Sequence, residues 1–371
     1  MRTFKKQSSS IESLILNCLL FSRRMSKTVI LDNGCNTIKV GYAGDKKPKF
    51  VLPNIIGIPK YKPIQTGNKH SDIYISNAAF EKAGILDFHY PISNGIITDW
   101  DKMELIWRYI FDNEIKKDSS SSPIFFTDSL DNSLEQRQKI AQIAFEKFNV
   151  PSLYFESNDL LTISSVPNQT GLVIDSGESR TIITGISNGQ RIPNVLTTNR
   201  LAGRTLTSYL VKKINERQTY LRVSSDRFIA QNIKETICYV VDDYKTEREK
   251  SKTSDELNYQ YEFPDGNQVA INELRFKVPE FLFKPKLWGF EFTGITDLIN
   301  ETIAKADPNI RNDLYSNIIL TGGNTLFKGF PERLQAELIK TNPSVNVNVV
   351  AEKHRQFLAW KAASQKSKSS E

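Results

Sequence analysis

Cysteine, histidine and methionine are scarce, three of each in 371 residues. Cys18, Cys35 and Cys238 are odd in number and far apart, which excludes a disulfide framework and a C-x-x-C metal site and suits a reducing compartment. His70, His89 and His354 have no clustered partners, so a zinc centre is excluded as well. No apolar run approaches the roughly 18 residues of a membrane-spanning helix, and no membrane partner is expected. What is present is ordinary for a soluble globular chain: 39% hydrophobic and 25% charged residues, with 18 Gly and 15 Pro. The length exceeds one compact core and calls for at least two packed units.

The net charge of +7 raises the question of an acidic partner. Residues 1–24 carry a balance of +4 and residues 361–371 a balance of +2, which leaves only +1 over residues 25–360. The body is close to neutral, so nucleic-acid binding through the folded part is not expected. Met1–Arg24 combines a basic start, a serine run and the apolar stretch Leu14–Phe21. It lacks a small-residue cleavage site and is read as a disordered extension, with a targeting presequence as the alternative.

The run Thr28–Leu31 ends in Asp32-Asn33-Gly34 and is followed by Thr37–Tyr42, the pattern of strand, tight turn, strand. The same grammar returns 143 residues later: Gly171–Ile174, then Asp175-Ser176-Gly177, then Thr181–Ile186. A repeated supersecondary unit predicts two related α/β halves. Helices are predicted over Met103–Phe111, Ser133–Phe148, Gly203–Ile214, Asp226–Val241 and Pro331–Ile339. Tyr244–Asn258 reads as a solvated charged stretch, and Ile318–Thr321 as a buried strand running into Gly322-Gly323.

A Gly after a strand lets successive N–H groups converge on an anion. One such turn is commonplace. Two on related halves, each led by an Asp, form a set that grips a polyphosphate from both sides. The carboxylates then hold a hard cation, usually through water as Mg²⁺ prefers. Lys39 stands near enough to neutralise a phosphate.

These segments resemble the actin and actin-related family. Leu31-Asp32-Asn33-Gly34 with Lys39–Asp45 is similar to its first phosphate loop, Gly171–Gly177 to its second, and Leu320–Thr325 to its adenosine motif. Segments outside the nucleotide chemistry match too: Tyr90–Ile92 with Gly95–Asp101, Leu201–Thr207, Ile233–Glu235 with Cys238–Val240, and Asp307–Asn317. The resemblance runs from about Thr28 to Ser364. It implies an α/β, actin-like ATPase fold: two ribonuclease-H-like domains, each with an inserted subdomain, and Mg-ATP in the cleft between them. The implied division is a small domain over residues 25–165 plus 358–371, with an insert at about 54–90. A large domain follows over 166–357, with an insert at about 202–290.

The resemblance further implies that Asp32 and Asp175 face the metal. It places Gly34, Cys35, Asn36, Lys39, Gly177, Glu178, Ser179, Arg180, Gly203, Lys234, Glu235, Gly322, Gly323, Asn324, Leu326 and Phe327 on nucleotide-contacting positions. Gln142 is matched to the glutamine that orients the attacking water, although by pattern alone it sits on the polar face of an amphipathic helix. The departures gather around the phosphates. Cys35 replaces a hydroxyl residue, and Asn36 a glycine, as a residue that tolerates left-handed backbone. Glu178 replaces an aspartate, Ser179 a glycine and Arg180 a small apolar residue. Ile182 stands where the family has a histidine that helps place water, and Gln231 and Gln356 replace basic residues near the adenosine. Losing a water-positioning group predicts weak hydrolysis with ATP binding retained; Arg180 acts in the opposite direction if it binds phosphate.

Other departures bear on partners. The acidic N-terminus that attracts myosin in the family is basic here, Asn94 replaces a modified histidine, and the family's last helical segment has no counterpart after Ser364, with Lys366–Glu371 expected to be disordered. Gly57–Ser76 has the length of the loop that inserts into the next filament subunit. Leu287–Phe292 falls at an apolar plug, either an exposed interface or local packing under Tyr244–Asn258. Three functions follow from the resemblance. The first is a cytoplasmic, cytoskeletal protein that forms or joins filaments with itself or other actin-family subunits and is met by actin-binding proteins. The second is a non-polymerising subunit of a cytoskeletal or nuclear, chromatin-remodelling assembly, held by scaffold proteins. The third, a small-molecule kinase of the same superfold, is disfavoured by the matches outside the nucleotide site.

Overall fold

The computed structural model describes residues 27–61, 73–130, 132–217, 221, 226–263 and 266–370. The N-terminal extension, most of the Gly57–Ser76 loop and Pro264-Asp265 lie outside the described residues.

Two five-stranded sheets carry the fold, and they have one topology. The first contains β1 (Val29–Asn33), β2 (Thr37–Tyr42), β3 (Phe50–Pro53), β4 (Ile124–Asp128) and β5 (Leu153–Ser157), in the order β5-β4-β1-β2-β3. The second contains β6 (Gly171–Ser176), β7 (Thr181–Ser187), β8 (Gln190–Asn199), β9 (Ile318–Thr321) and β10 (Val349–Val350), in the order β8-β7-β6-β9-β10. In each, an antiparallel meander of three strands is extended on the side of its first strand by two parallel strands. The repeated Asp-x-Gly turn in the sequence is therefore a repeated sheet. β1 and β6 are central strands, buried on both faces, which is why they read as continuous apolar runs rather than alternating ones.

The parallel strands are reached through crossover helices. Between β3 and β4 lies α1 (Trp100–Tyr109), capped by Asp99, whose Oδ1 accepts from Lys102 N at 3.0 Å. Between β4 and β5 lies α2 (Leu134–Glu146), started by Ser133, whose Oγ accepts from Gln136 N. α3 (Asn158–Ile163) follows β5 directly. In the second half come α4 (Gly203–Arg217), α5 (Asp226–Ile237), α6 (Tyr244–Thr253), α7 (Ile295–Ala304), α8 (Pro308–Ser316) and α9 (Phe330–Thr341). The charged stretch after Tyr244 is thus a helix, with no fully buried residue.

Each sheet has its own core. Val29, Leu31, Val40, Ile106, Trp107 and Phe126 belong to the first; Leu172, Ile174, Leu206, Phe281, Leu320 and Phe330 belong to the second. The chain returns to the first sheet through α10 (Leu358–Ser370), where buried Trp360 donates its indole N–H to the carbonyl of Ile30 at 3.2 Å. α10 runs through Lys366 to Ser370, which corrects the expected disordered tail. Ser364 Oγ donates to Asp45 O at 2.8 Å, and Lys366 pairs with Glu156 at 2.7 Å. Among the described residues, no helix is long and apolar enough to cross a membrane.

Candidate functional site

Parallel strands present their carboxyl ends to one edge of a sheet, and loops at that edge converge where strand order reverses. Asp32 is the next-to-last residue of β1 and Asp175 the next-to-last of β6. These are equivalent points of the two sheets, and they face each other.

Asp32 lies opposite Lys39 in the β1–β2 register, and the pair closes at 2.9 Å. Asp175 is largely buried. Burial pushes its carboxyl up to about 6, against the attraction of Lys39 and with the repulsion of Asp32 and Asp159. One ammonium thus serves two carboxylates from two domains. The first loop is clamped from below: Asn54 donates Nδ2 to Gly34 O at 2.8 Å and its backbone N–H to Asn36 O at 2.9 Å. Asn36 does not take the left-handed backbone that its replacement of glycine suggested, and neither do Gly34 or Gly177. Gly34 is required for closeness instead, because a Cβ there would stand 2.6 Å from Thr37 O.

The two loops touch. Cys35 Sγ and Ser179 Oγ are 3.1 Å apart, one from each domain, and burial pushes the Cys35 thiol up, so it stays an S–H at neutral pH. Arg180 reaches across to lie directly over Gly95, with its guanidinium half-buried and near Cys35. The second loop rests on the start of α4: Gly203 N donates to Gly177 O at 3.0 Å and Arg204 N to Glu178 O at 2.6 Å. Gly322 (φ 86°) presses on the same loop, where any side chain would collide with Ser176 O and Asp175 Oδ1. Gly323 beside it faces open space.

Several expected nucleotide contacts have structural duties. Glu178 turns away from the loop centre to Arg227 at 2.9 Å, with Arg204 and Lys234 each at 3.9 Å. Lys234 is buried and spends two hydrogen bonds on Gly203 O and Thr207 Oγ1, joining α5 to α4. Asn324 donates to Gly177 O at 2.6 Å and Ser176 Oγ at 3.2 Å, fixing the second loop. Exposed Glu235 accepts from Gln231. Leu326 and Phe327 line a groove of about 660 Å³ against α9, away from the paired aspartates.

Gln142 is not brought to the site. It is exposed on the second half of α2, where its amide accepts from Lys139 at 3.1 Å and donates to Glu146 at 3.0 Å. The reason is topological: α2 leaves the carboxyl edge after β4 and runs back toward the opposite edge, so its ninth residue is about 12 Å along the helix. The amide that does reach the carboxyl edge is Asn158, immediately after β5. Asn158 lines a small cavity with Ser129, Asp159, Val173, Asp175, Ile182 and Thr184. Its Oδ1 and Thr184 Oγ1 are buried without hydrogen-bond partners in the protein. Such a polar cavity is suited to a water molecule. Ile182, opposite Asp175 in the β6–β7 register, gives it an apolar wall. Asp159 is held at its rim by a two-point pair with Arg191, 2.7 and 2.8 Å. Burial pushes its carboxyl up, but the bonds from Arg191 and Ser157 outweigh this and the net shift is down.

The cleft is closed above the loops. Phe80, from the short helix Asn77–Glu81, stacks on Phe228 of α5 with ring centroids 3.9 Å apart. Phe228 thereby joins the apolar cluster of Ile55, Ala79, Leu86 and Phe88 that otherwise belongs to the small sheet of Ile56–Pro59, Tyr74–Ile75 and Leu86–His89. Next to it, the Arg227 guanidinium lies 5.8 Å from the Tyr90 ring centroid while pairing with Glu178. The Leu287–Phe292 plug folds inward: Trp288 stacks on Phe281 at 5.5 Å and meets Tyr244 edge-on, leaving Leu287 as its exposed large apolar side chain.

For a cation, the donor set is two carboxylates of facing domains, and no cluster of three or more acidic, cysteine or histidine ligands exists among the described residues. That fits a hydrated Mg²⁺, which keeps most of its waters, and does not fit a dehydrated all-protein cage.

Comparison with known proteins agrees with this architecture. Residues 23–370 match the family model for Actin. An actin-like protein of Neurospora crassa is 35% identical over 337 residues, covering 90% of this chain and 89% of that protein. The chain belongs to the actin family.

Proposed function

We propose that the chain is a cytoskeletal actin-related protein that binds Mg-ATP in the cleft, forms or joins filaments, and hydrolyses ATP weakly. The observation that carries this reading is the Asp32–Lys39–Asp175 constellation. It lies at equivalent ends of two matching sheets, with the glycine turns that follow each Asp in contact through Cys35 and Ser179.

Asp32 and Asp175 are the residues that would hold Mg²⁺, which would neutralise phosphate charge. Lys39 and Arg180 supply protein cations on the two sides of the loops. Asn158 offers an amide to orient water next to Asp175, and Ile182 withholds the second polar group that would align it. Water orientation is a large part of what a protein adds to phosphoryl transfer, so retention outweighs turnover.

The inward-packed plug favours the second reading, a non-polymerising subunit of a larger assembly, because its aromatic rings are already used within the chain. Sedimentation of the native protein with Mg-ATP and with ADP separates the two. Long polymer that redistributes with nucleotide supports filaments; one discrete particle under both conditions supports the assembly subunit. A fluorescent ATP analogue should bind with Mg²⁺ and fail to bind the D32N/D175N variant. Single-turnover hydrolysis as fast as that of ordinary actin refutes the weak-hydrolysis part.

A further inference from the structure

Lysines from three separate segments of the chain gather at one corner of the first sheet, where Thr28 and α10 both pack on the turn after β2. Ala43 N donates to Thr28 O at 2.9 Å, where the N-terminal segment enters, and Gly44 N donates to Ser364 O of α10 at 3.0 Å. Lys368 lies over Gly44. The turn that follows carries Lys46, Lys47 and Lys49, and Lys49 sits 5.8 Å from the Tyr42 ring centroid. Lys117 approaches the same ring at 5.0 Å, bringing Lys116 with it. All six lysines are exposed, and none forms an ion pair among the described residues. The carboxylates adjoining these lysines in sequence are engaged with backbone amides, Asp45 with Tyr42 N and Asp118 with Ser120 N.

We propose that this corner docks on an anionic phospholipid surface. The cations are all lysines, point charges without the planar fork that reads a carboxylate or phosphate in a fixed geometry. They suit a diffuse negative plane. The Tyr42 ring is covered by two ammonium groups, so no stacking platform for bases is offered, which argues against nucleic acid. A group of six exposed lysines on one surface is the polybasic arrangement that holds a protein at an anionic membrane surface without crossing it. The expectation of no membrane partner rested on the lack of a spanning helix, which such a contact does not need.

The test is co-sedimentation of the full chain with vesicles of phosphatidylcholine alone and of phosphatidylcholine with phosphatidylserine, at low and high salt. Binding is expected only with phosphatidylserine and is expected to weaken as salt rises. K46E/K47E/K49E should lower the affinity by at least roughly a hundredfold, since each substitution removes a positive charge and adds a negative one, and K116E/K117E should lower it independently. K212E/K245E/K286E, with the same net charge change on the other domain, should bind as the unaltered chain does. Thermal melts of all variants separate lost binding from lost folding. Equal binding to both vesicle types, an unaffected K46E/K47E/K49E variant that melts normally, or tighter binding to duplex DNA or polyglutamate than to the anionic vesicles overturns the proposal.

Discussion

The Phe80–Phe228 stack should govern how fast nucleotide leaves the cleft. The two rings come from different domains, so their contact exists only while the cleft is closed, and opening must separate them. An aromatic pair in contact is worth about 0.5–1.5 kcal/mol beyond its buried area. The area covered between two stacked rings, of order 50 Å², adds about 1 kcal/mol at about 25 cal/mol per Å². Replacing Phe228 with Ala should therefore move the open–closed equilibrium by about 2 kcal/mol, a factor of roughly 30. Arg227 stays on Tyr90 and Glu178, so the release rate of a fluorescent ATP analogue, chased with excess ATP, should rise by about 10- to 50-fold. The main cores of both domains are untouched and the melting temperature should change little. F80A should have the same effect, and the F80A/F228A double variant should be no faster than either single, because both remove one contact. Singles that release at the unaltered rate, or a double variant whose effect is the sum of the two, would refute the clasp. Failure of any variant to bind nucleotide at all would instead count against nucleotide binding in the cleft.

Three further outcomes are expected. In protein stripped of divalent cations, Asp175 has a folded-state pKa near 6 against an ordinary value of 3.8; its contribution is full below about 4 and is lost as pH rises through 6, so at pH 7 the buried charge costs about 3 kcal/mol. Urea unfolding should show D175N gaining on the unaltered chain by about that amount between pH 4 and 7, and a constant gap across that range would contradict the burial argument. Gln142→Ala should leave single-turnover hydrolysis unchanged, whereas Asn158→Ala should slow it; the opposite result would return the water-orienting role to α2. Arg333 forms a two-point pair with buried Glu280 at 3.0 and 3.1 Å and also donates to Val241 O. Arg333→Met should cost about 3–5 kcal/mol by chemical denaturation, because Glu280 is left as an unpaired buried charge.

How much of this was legible before the fold depends on how far apart in sequence the interacting residues lie. The β1–β2 and β6–β7 hairpins are local, and their Asp-x-Gly turns announce themselves, so Asp32, Lys39 and Asp175 could be read directly. The family match extends that reading to the loops but carries positions, not orientations. Glu178 and Lys234 occupy expected positions, yet their charges are turned onto Arg227 and Thr207, because a carboxylate one methylene longer than Asp reaches the neighbouring helix. Gln142 was matched through the resemblance, whereas its helical pattern alone put it on a polar face, where the structure has it; the useful signal was that Asn158 directly follows a strand parallel to β1 and so emerges at the carboxyl edge. Phe80 and Phe228 carry no local signal at all. They are 148 positions apart, each is unremarkable in its own amphipathic segment, and only closure of one domain on the other makes them a pair. The lysines around Gly44 are a mixed case: Lys46, Lys47 and Lys49 are local in sequence, while Lys117 and Lys368 join them only through tertiary packing. What a local pattern encodes is the chemistry each domain contributes; what the tertiary closure adds is the coupling between them, and that is where this chain's own properties are to be sought.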